Sequence, residues 1–153
     1  MSEVSAITDG MRKLLNVEVG PKKYEVERDM IKKLADAIGD DNPLWQDEEY
    51  AKKGRHGAII ASPTFLALLR LEEMLELVLS AECSLTRMMN GGTELEYFLP
   101  IKVGDVISVT GKIIDIYERD GKSGKMIFII SEMTYNNQMG EITAKARNTF
   151  LRY

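Results

Sequence analysis

The chain has 153 residues, the length of one ordinary domain, and a 44% hydrophobic share that suffices for a core and argues against intrinsic disorder. A net charge of −4 and a pI near 5.2 exclude the broad basic face of a non-specific nucleic-acid binder. A single cysteine, Cys83, and a single histidine, His56, exclude an internal disulfide and any metal centre needing two of either from one subunit, so no metal is expected.

Residues 3–15 carry Val4, Ile7, Met11, Leu14 and Leu15 at helical spacing, which predicts a short amphipathic helix within an N-terminal extension over 1–16. Its charges, among them Glu3, Asp9, Arg12 and Lys13, leave no apolar stretch of the kind a secretory signal needs. No run approaches the ~20 apolar residues of a membrane span, so the simplest expected location is the cytoplasm, with no membrane partner. Val17, Val19, Tyr24 and Val26 suggest an extended segment broken by Gly20-Pro21. Met30, Ile31, Leu34, Ala35 and Ile38 then form one apolar stripe of a helix, and Gly39 stands where a left-handed C-terminal residue is wanted.

Asp40-Asp41-Asn42-Pro43 is turn chemistry, and alone it is no more than a helix-ending turn. Asp47 to Lys53 reads as a short polar helix and Gly54-Arg55-His56-Gly57 as a loop. Ser62 is placed to cap a helix whose first turn holds Pro63, and that helix is expected to run to about Ser80. Phe65 to Leu69 are apolar all round, whereas Arg70, Glu72, Glu73 and Glu76 give the later turns a wet face. Four strands should follow, at Thr93 to Leu99, Val106 to Tyr117, Lys125 to Tyr135 and Ile142 to Tyr153. Hairpin connections lie at residues 120–124 and 136–140. Helices first, one buried helix, then an antiparallel meander make an α+β domain.

Three segments give this order a family resemblance. Ala37-Ile38-Gly39-Asp40-Asp41-Asn42-Pro43-Leu44-Trp45 resembles the active-site segment of the MaoC-like (R)-specific hydratases and dehydratases, whose motif runs Gly-Asp-x-Asn-Pro-aliphatic-His. Gly57 to Phe65 is similar to that family's Gly-x-aliphatic-aliphatic-Ala-Pro-x-Thr-Phe, and Glu94 to Asp105 to its strand-turn segment ending Pro-aliphatic-x-x-Gly-Asp. The resemblance, closest to the N-terminal dehydratase type, covers about Lys22 to Tyr153 and implies the hot-dog fold over residues 1–153: a long central helix wrapped by a mainly antiparallel sheet.

It further implies action on (3R)-hydroxyacyl or trans-2-enoyl thioesters of coenzyme A or acyl carrier protein, without a cofactor. Asp40 carries over to the family's acid/base Asp and Asn42 to its Asn, but the His is replaced by Trp45. Indole only donates through its N–H and cannot trade a proton near neutral pH, so the usual catalytic pair is incomplete. In the family, backbone N–H groups at the start of the central helix polarise the thioester carbonyl, and here that end would be Ser62, Pro63 and Thr64. Such a chain is expected in a homodimer, or in a heterodimer with a catalytic hot-dog subunit, where Trp45 would shape the acyl pocket. His56 reads first as a loop histidine, although it and Arg55 could meet a coenzyme A phosphate. A hot-dog thioesterase would need a carboxylate such as Glu72, Glu73 or Glu76 at the site, and an acyl-binding module without turnover is the third reading. Ile113, Ile114, Ile116, Phe150 and Leu151 include residues expected to face a partner.

Overall fold

The computed structural model describes residues 5–122 and 124–153. The elements run α1 (Asp9–Arg12), β1 (Glu18–Glu25), α2 (Arg28–Ile38), α3 (Pro43–Gln46) and α4 (Glu48–Lys53), then a 3₁₀ segment (Pro63–Leu68) and α5 (Glu72–Ser80). Four strands close the chain: β2 (Met88–Tyr97), β3 (Val106–Gly121), β4 (Gly124–Asn136) and β5 (Ile142–Arg152). They pair antiparallel with β1 in the order β1-β3-β4-β5-β2, which is the α+β hot-dog arrangement expected. Among the described residues, no helix is long and apolar enough to cross a membrane.

The core lies between one face of the sheet and the helical segment Pro63–Ser80. Ile107, Val109 and Ile113 of β3, Ile127, Ile129 and Tyr135 of β4, and Ala144 and Ala146 of β5 meet Phe65, Leu69, Met74 and Val78 there. Gly111 lets the helix come close, since a Cβ at that position would stand 3.1 Å from both Leu71 and Met74.

Three elements depart from expectation. The central helix is interrupted: a 3₁₀ segment ends at Leu68, the chain bends out of helix at Leu69 and is extended at Leu71, and α5 starts at Glu72. The apolar phase explains the break. Leu69 and Leu71 are both buried, and two residues apart on a helix they would point about 200° apart, whereas a non-helical link lets both turn inward. The N-terminal helix is the single turn Asp9–Arg12, capped by the Thr8 hydroxyl and anchored by buried Met11; Val4 lies outside the described residues. Gly20-Pro21 does not end β1, which runs through it with a register shift between Val19 and Lys22.

The β3–β4 hairpin closes on Gly121 opposite Gly124, with Ser123 of the expected connection outside the described residues. Ile113 and Leu151, expected at a partner surface, are buried within the chain, while Ile114, Ile116 and Phe150 are partly buried. Exposed apolar residues lie elsewhere, among them Met89, Leu95, Tyr97 and Phe98 on β2 and its exit and Leu75 and Leu79 on α5.

Candidate active site

The turn after α2 is built by its own side chains. Gly39 takes the left-handed conformation (φ 70°), and the Asp40 N–H donates back to the Ala35 carbonyl at 2.9 Å, closing the helix. The Asp40 carboxylate accepts from the Asn42 N–H at 3.1 Å, an Asx turn, and Gln46 Nε2 donates to the Asp40 carbonyl at 2.9 Å. The Asn42 side chain then caps α3 at the Leu44 N–H, 3.0 Å away, ahead of Pro43 in the first turn. Asp40 and Asn42, the polar letters of the motif that are retained, both act on backbone here.

Trp45 is turned to the other side. It lines a pocket of about 310 Å³ with His56, Ser62, Pro63, Tyr97 and Phe98, over a floor of Ile60, Leu66 and Ile101. The strand-like contact of residues 59–61 with 101–103 holds this wall: Ala61 N–H donates to the Ile101 carbonyl (2.8 Å) and Val103 N–H to that of Ile59 (3.2 Å). The Ile60 N–H donates to the Leu44 carbonyl at 3.3 Å, which brings the Trp45 turn against the same wall.

No carboxylate lines this pocket. Asp40 lies instead in a shallow depression with Asp36, Asp41 and Gln46. The titratable groups of the pocket are His56 and Tyr97, and burial raises the pKa of the Tyr97 phenol. Tyr97 donates its hydroxyl to the Pro63 carbonyl, tying β2 to the start of the 3₁₀ segment. The indole Nε1 of Trp45 is buried without a hydrogen-bond partner. That is a real cost, about 1–3 kcal/mol for an unsatisfied buried donor.

Of the residues singled out from sequence, Trp45, His56, Ser62 and Pro63 therefore meet in one pocket, while Asp40, Asn42 and Thr64 do not line it. Ser62 does not cap the helix. Its hydroxyl pairs with that of Thr64 at 3.1 Å, and its carbonyl accepts from the Phe65 N–H at 2.9 Å. Only six 3₁₀ residues stand behind this end, so it carries less dipole than the long helix expected. Glu72 and Glu76 line a separate groove along α5 with Leu75, Leu79 and Phe150, remote from the Trp45 pocket. Tyr97 and Phe98 are the pocket residues that sequence reading did not single out; their signal was the apolar end of a strand running into Pro100.

Comparison with known proteins bears on the family and the fold. Residues 13–146 match the model of the FAS1-like, dehydratase domain region. A UPF0336 protein of Thermobifida fusca is 35% identical over 115 residues, 74% of each chain. The HadBC (3R-hydroxyacyl-ACP dehydratase) complex from Mycobacterium tuberculosis superposes with a TM-score of 0.76 at 20% identity, over 90% of this chain and 96% of that one. The (R)-hydratase from A. caviae involved in PHA biosynthesis does so with a TM-score of 0.69 at 17% identity, over 89% and 94%. At those identities the structures establish the fold, and the match over residues 13–146 establishes the family: the chain belongs to the FAS1-like dehydratase domain region family, a MaoC-like hot-dog group of dehydratases and hydratases.

Proposed function

We propose that this chain is the non-catalytic subunit of an acyl-thioester dehydratase or hydratase, one that binds a (3R)-hydroxyacyl or trans-2-enoyl thioester of coenzyme A or acyl carrier protein. The observation that carries the reading is the make-up of the Trp45 pocket, apolar and aromatic, with no carboxylate, and with indole in place of the family's imidazole. Adding water across an enoyl bond needs one group to take a proton from water and one to give a proton to carbon C2 of the acyl chain. His56 has no carboxylate in the pocket with which to divide these two tasks, and Asp40 accepts the Asn42 N–H on the far side of the turn.

The pocket suits an acyl chain laid against Trp45, Leu66 and Phe98, with its thioester towards Ser62 and Pro63. The acid/base pair would then come from a second hot-dog chain carrying an intact Gly-Asp-x-Asn-Pro-x-His. That HadBC is a complex supports the paired arrangement, as does the open apolar edge of β2.

The experiment is hydration of crotonyl-CoA by the purified chain and by the chain co-expressed with an intact-motif partner. The chain alone should run at or near background, about 10²–10⁴-fold below the mixed complex, the usual cost of a lost acid/base group. Robust turnover by the isolated chain, abolished by His56→Ala, would overturn the reading.

A further inference from the structure

A second cavity, of about 590 Å³, opens at the other end of β2. Residues 84–87, which lead into β2, line one side of it, and the start of β4, Gly124 to Met126, lines the other. Tyr153, the residue after β5, lies between them, because β5 separates β4 from β2. Two backbone hydrogen bonds hold Tyr153 to residue 87: the Arg87 N–H donates to the Tyr153 carbonyl at 3.2 Å, and the Tyr153 N–H to the Arg87 carbonyl at 3.1 Å. Met89 belongs to this cavity and Tyr97 to the Trp45 pocket. From residue 89 to residue 97 the strand takes eight steps, roughly 26 Å at the usual rise, so the two hollows are distinct.

The lining is cationic and apolar at once. Arg87, Lys122 and Lys125 contribute to it, and no Asp or Glu side chain does. Lys125 has Glu118 as a neighbour, 3.7 Å away. Arg87 and Lys122 are exposed and have no carboxylate partner among the described residues. Other hollows of the surface balance their charges. Glu94, Glu96 and Glu132 accompany Lys145 and Arg147 in one, and Glu72 and Glu76 accompany Arg70 in another. Three cations gathered without an acid repel one another, and a bound anion relieves that repulsion. Leu85, Met89, Met126 and Tyr153 make up the apolar part. Leu85 packs on the core, whereas Met89 and Tyr153 are 50% and 42% exposed. A bare anion would leave this surface wet, and a hydrocarbon chain would cover it.

We propose that this cavity is a second ligand site, for an anionic amphiphile: a carboxylate or phosphate head held by Arg87 and Lys122 beside Lys125, with an aliphatic chain laid over Leu85, Met89 and Met126. Arg87 offers a planar fork that pairs with two oxygens of one head group, and the lysines add point charge. A cavity of this size, mostly apolar with a few converging polar groups, is what small-molecule sites share. The site is separate from the acyl pocket of the proposed function and does not rest on it.

The probes are decanoate, decyl phosphate, decyltrimethylammonium and inorganic phosphate. Each is titrated calorimetrically, below the concentration at which micelles form, into the full chain and into its Arg87→Gln/Lys122→Gln variant. Both substituted side chains are exposed, so the fold is expected to survive. At least one of the two anionic amphiphiles should bind at least about tenfold more tightly than the cationic one, and the double substitution should weaken it at least about fivefold. Amide chemical shifts should move at residues 84–89 and 124–126 and lose that movement in the variant. Tighter binding of decanoate identifies a fatty carboxylate as the natural head group, and tighter binding of decyl phosphate a phosphate ester; either order supports the site. Binding of decyltrimethylammonium as tight as that of the anions would overturn the proposal. So would inorganic phosphate matching the tighter anionic amphiphile, an affinity unchanged by the double substitution, shifts confined to the lining of the Trp45 pocket, or no binding of either anionic amphiphile.

Discussion

The two sides of the turn after α2 carry opposite chemistry, although Asp40 and Trp45 are five residues apart. On the Asp40 side the side chains of Asp40, Asn42 and Gln46 each bond to backbone, and the hollow beside them is shallow and lined by polar side chains. On the Trp45 side the surface is apolar and aromatic, encloses about 310 Å³, and leaves one indole N–H without an acceptor. The difference shows how a site can keep the letters that build its turn after losing the one that does its proton transfer. Asp40 and Asn42 are needed by the turn between α2 and α3 whatever the pocket does, because their side chains accept the Asn42 and Leu44 N–H groups at the start of α3. Position 45 has no such duty, and its side chain is free to become a wall.

The largest effect is expected on the apolar side. Trp45→Ala should lower stability by about 2–3 kcal/mol, below the 3–5 kcal/mol of a fully buried Trp because this ring is only partly covered. Trp45→Phe should cost little, since it keeps most of the packing and removes the unpaired N–H. Urea unfolding of the three proteins checks this, and a Trp45→Phe loss as large as that of Trp45→Ala would show that the indole nitrogen has an acceptor.

The base of the same side titrates. Tyr135 is in register with Val109, with Ala144 and, one strand further, with Tyr97. Burial first, then neighbouring Tyr97 and Tyr24, push its phenol up to about 12. Up to pH 10 the phenol is protonated in the folded and unfolded chains alike, and stability is unaffected. Between pH 10 and 12 the unfolded chain releases the proton that the folded chain still holds, so stability falls as pH rises, by roughly 2–3 kcal/mol at the upper end. Tyr135→Phe should flatten that part of a stability–pH curve, and an unchanged slope would assign the loss to other groups.

Much of this arrangement was legible in the residues. The β3–β4 and β4–β5 hairpins, the αL Gly39 and the turn chemistry of Asp40 follow from local rules and appear in the structure, whereas β2 lies beside β5 and not beside its neighbour in sequence, β3. What was not legible depends on contacts distant in sequence. The break at Leu69–Leu71 reflects which side the sheet lies on, and nothing in a helical stripe says that a strand will demand both leucines. Pairing Tyr97 with Pro63 brings together residues 34 apart. The separation of Asp40 from the Trp45 pocket is also tertiary, since a motif records spacing along the chain but not the face a side chain takes.

The smallest effect tests the polar side of the turn. If Asp40 serves only the backbone, Asp40→Ala should cost about 0.5–2 kcal/mol, the range for a lost side-chain cap. Asp40→Asn should recover most of that, because an amide oxygen still accepts from the Asn42 N–H. Neither substitution should change crotonyl-CoA hydration by the mixed complex by more than about twofold, since removing a true acid/base group costs 10²-fold or more. Thermal melts and initial rates on the same preparations separate the two roles. A melt that does not move, alongside activity that collapses in Asp40→Asn, would place this carboxylate in the chemistry. The Asx turn would then be a resting position, one that the side chain leaves when a substrate enters beside Trp45.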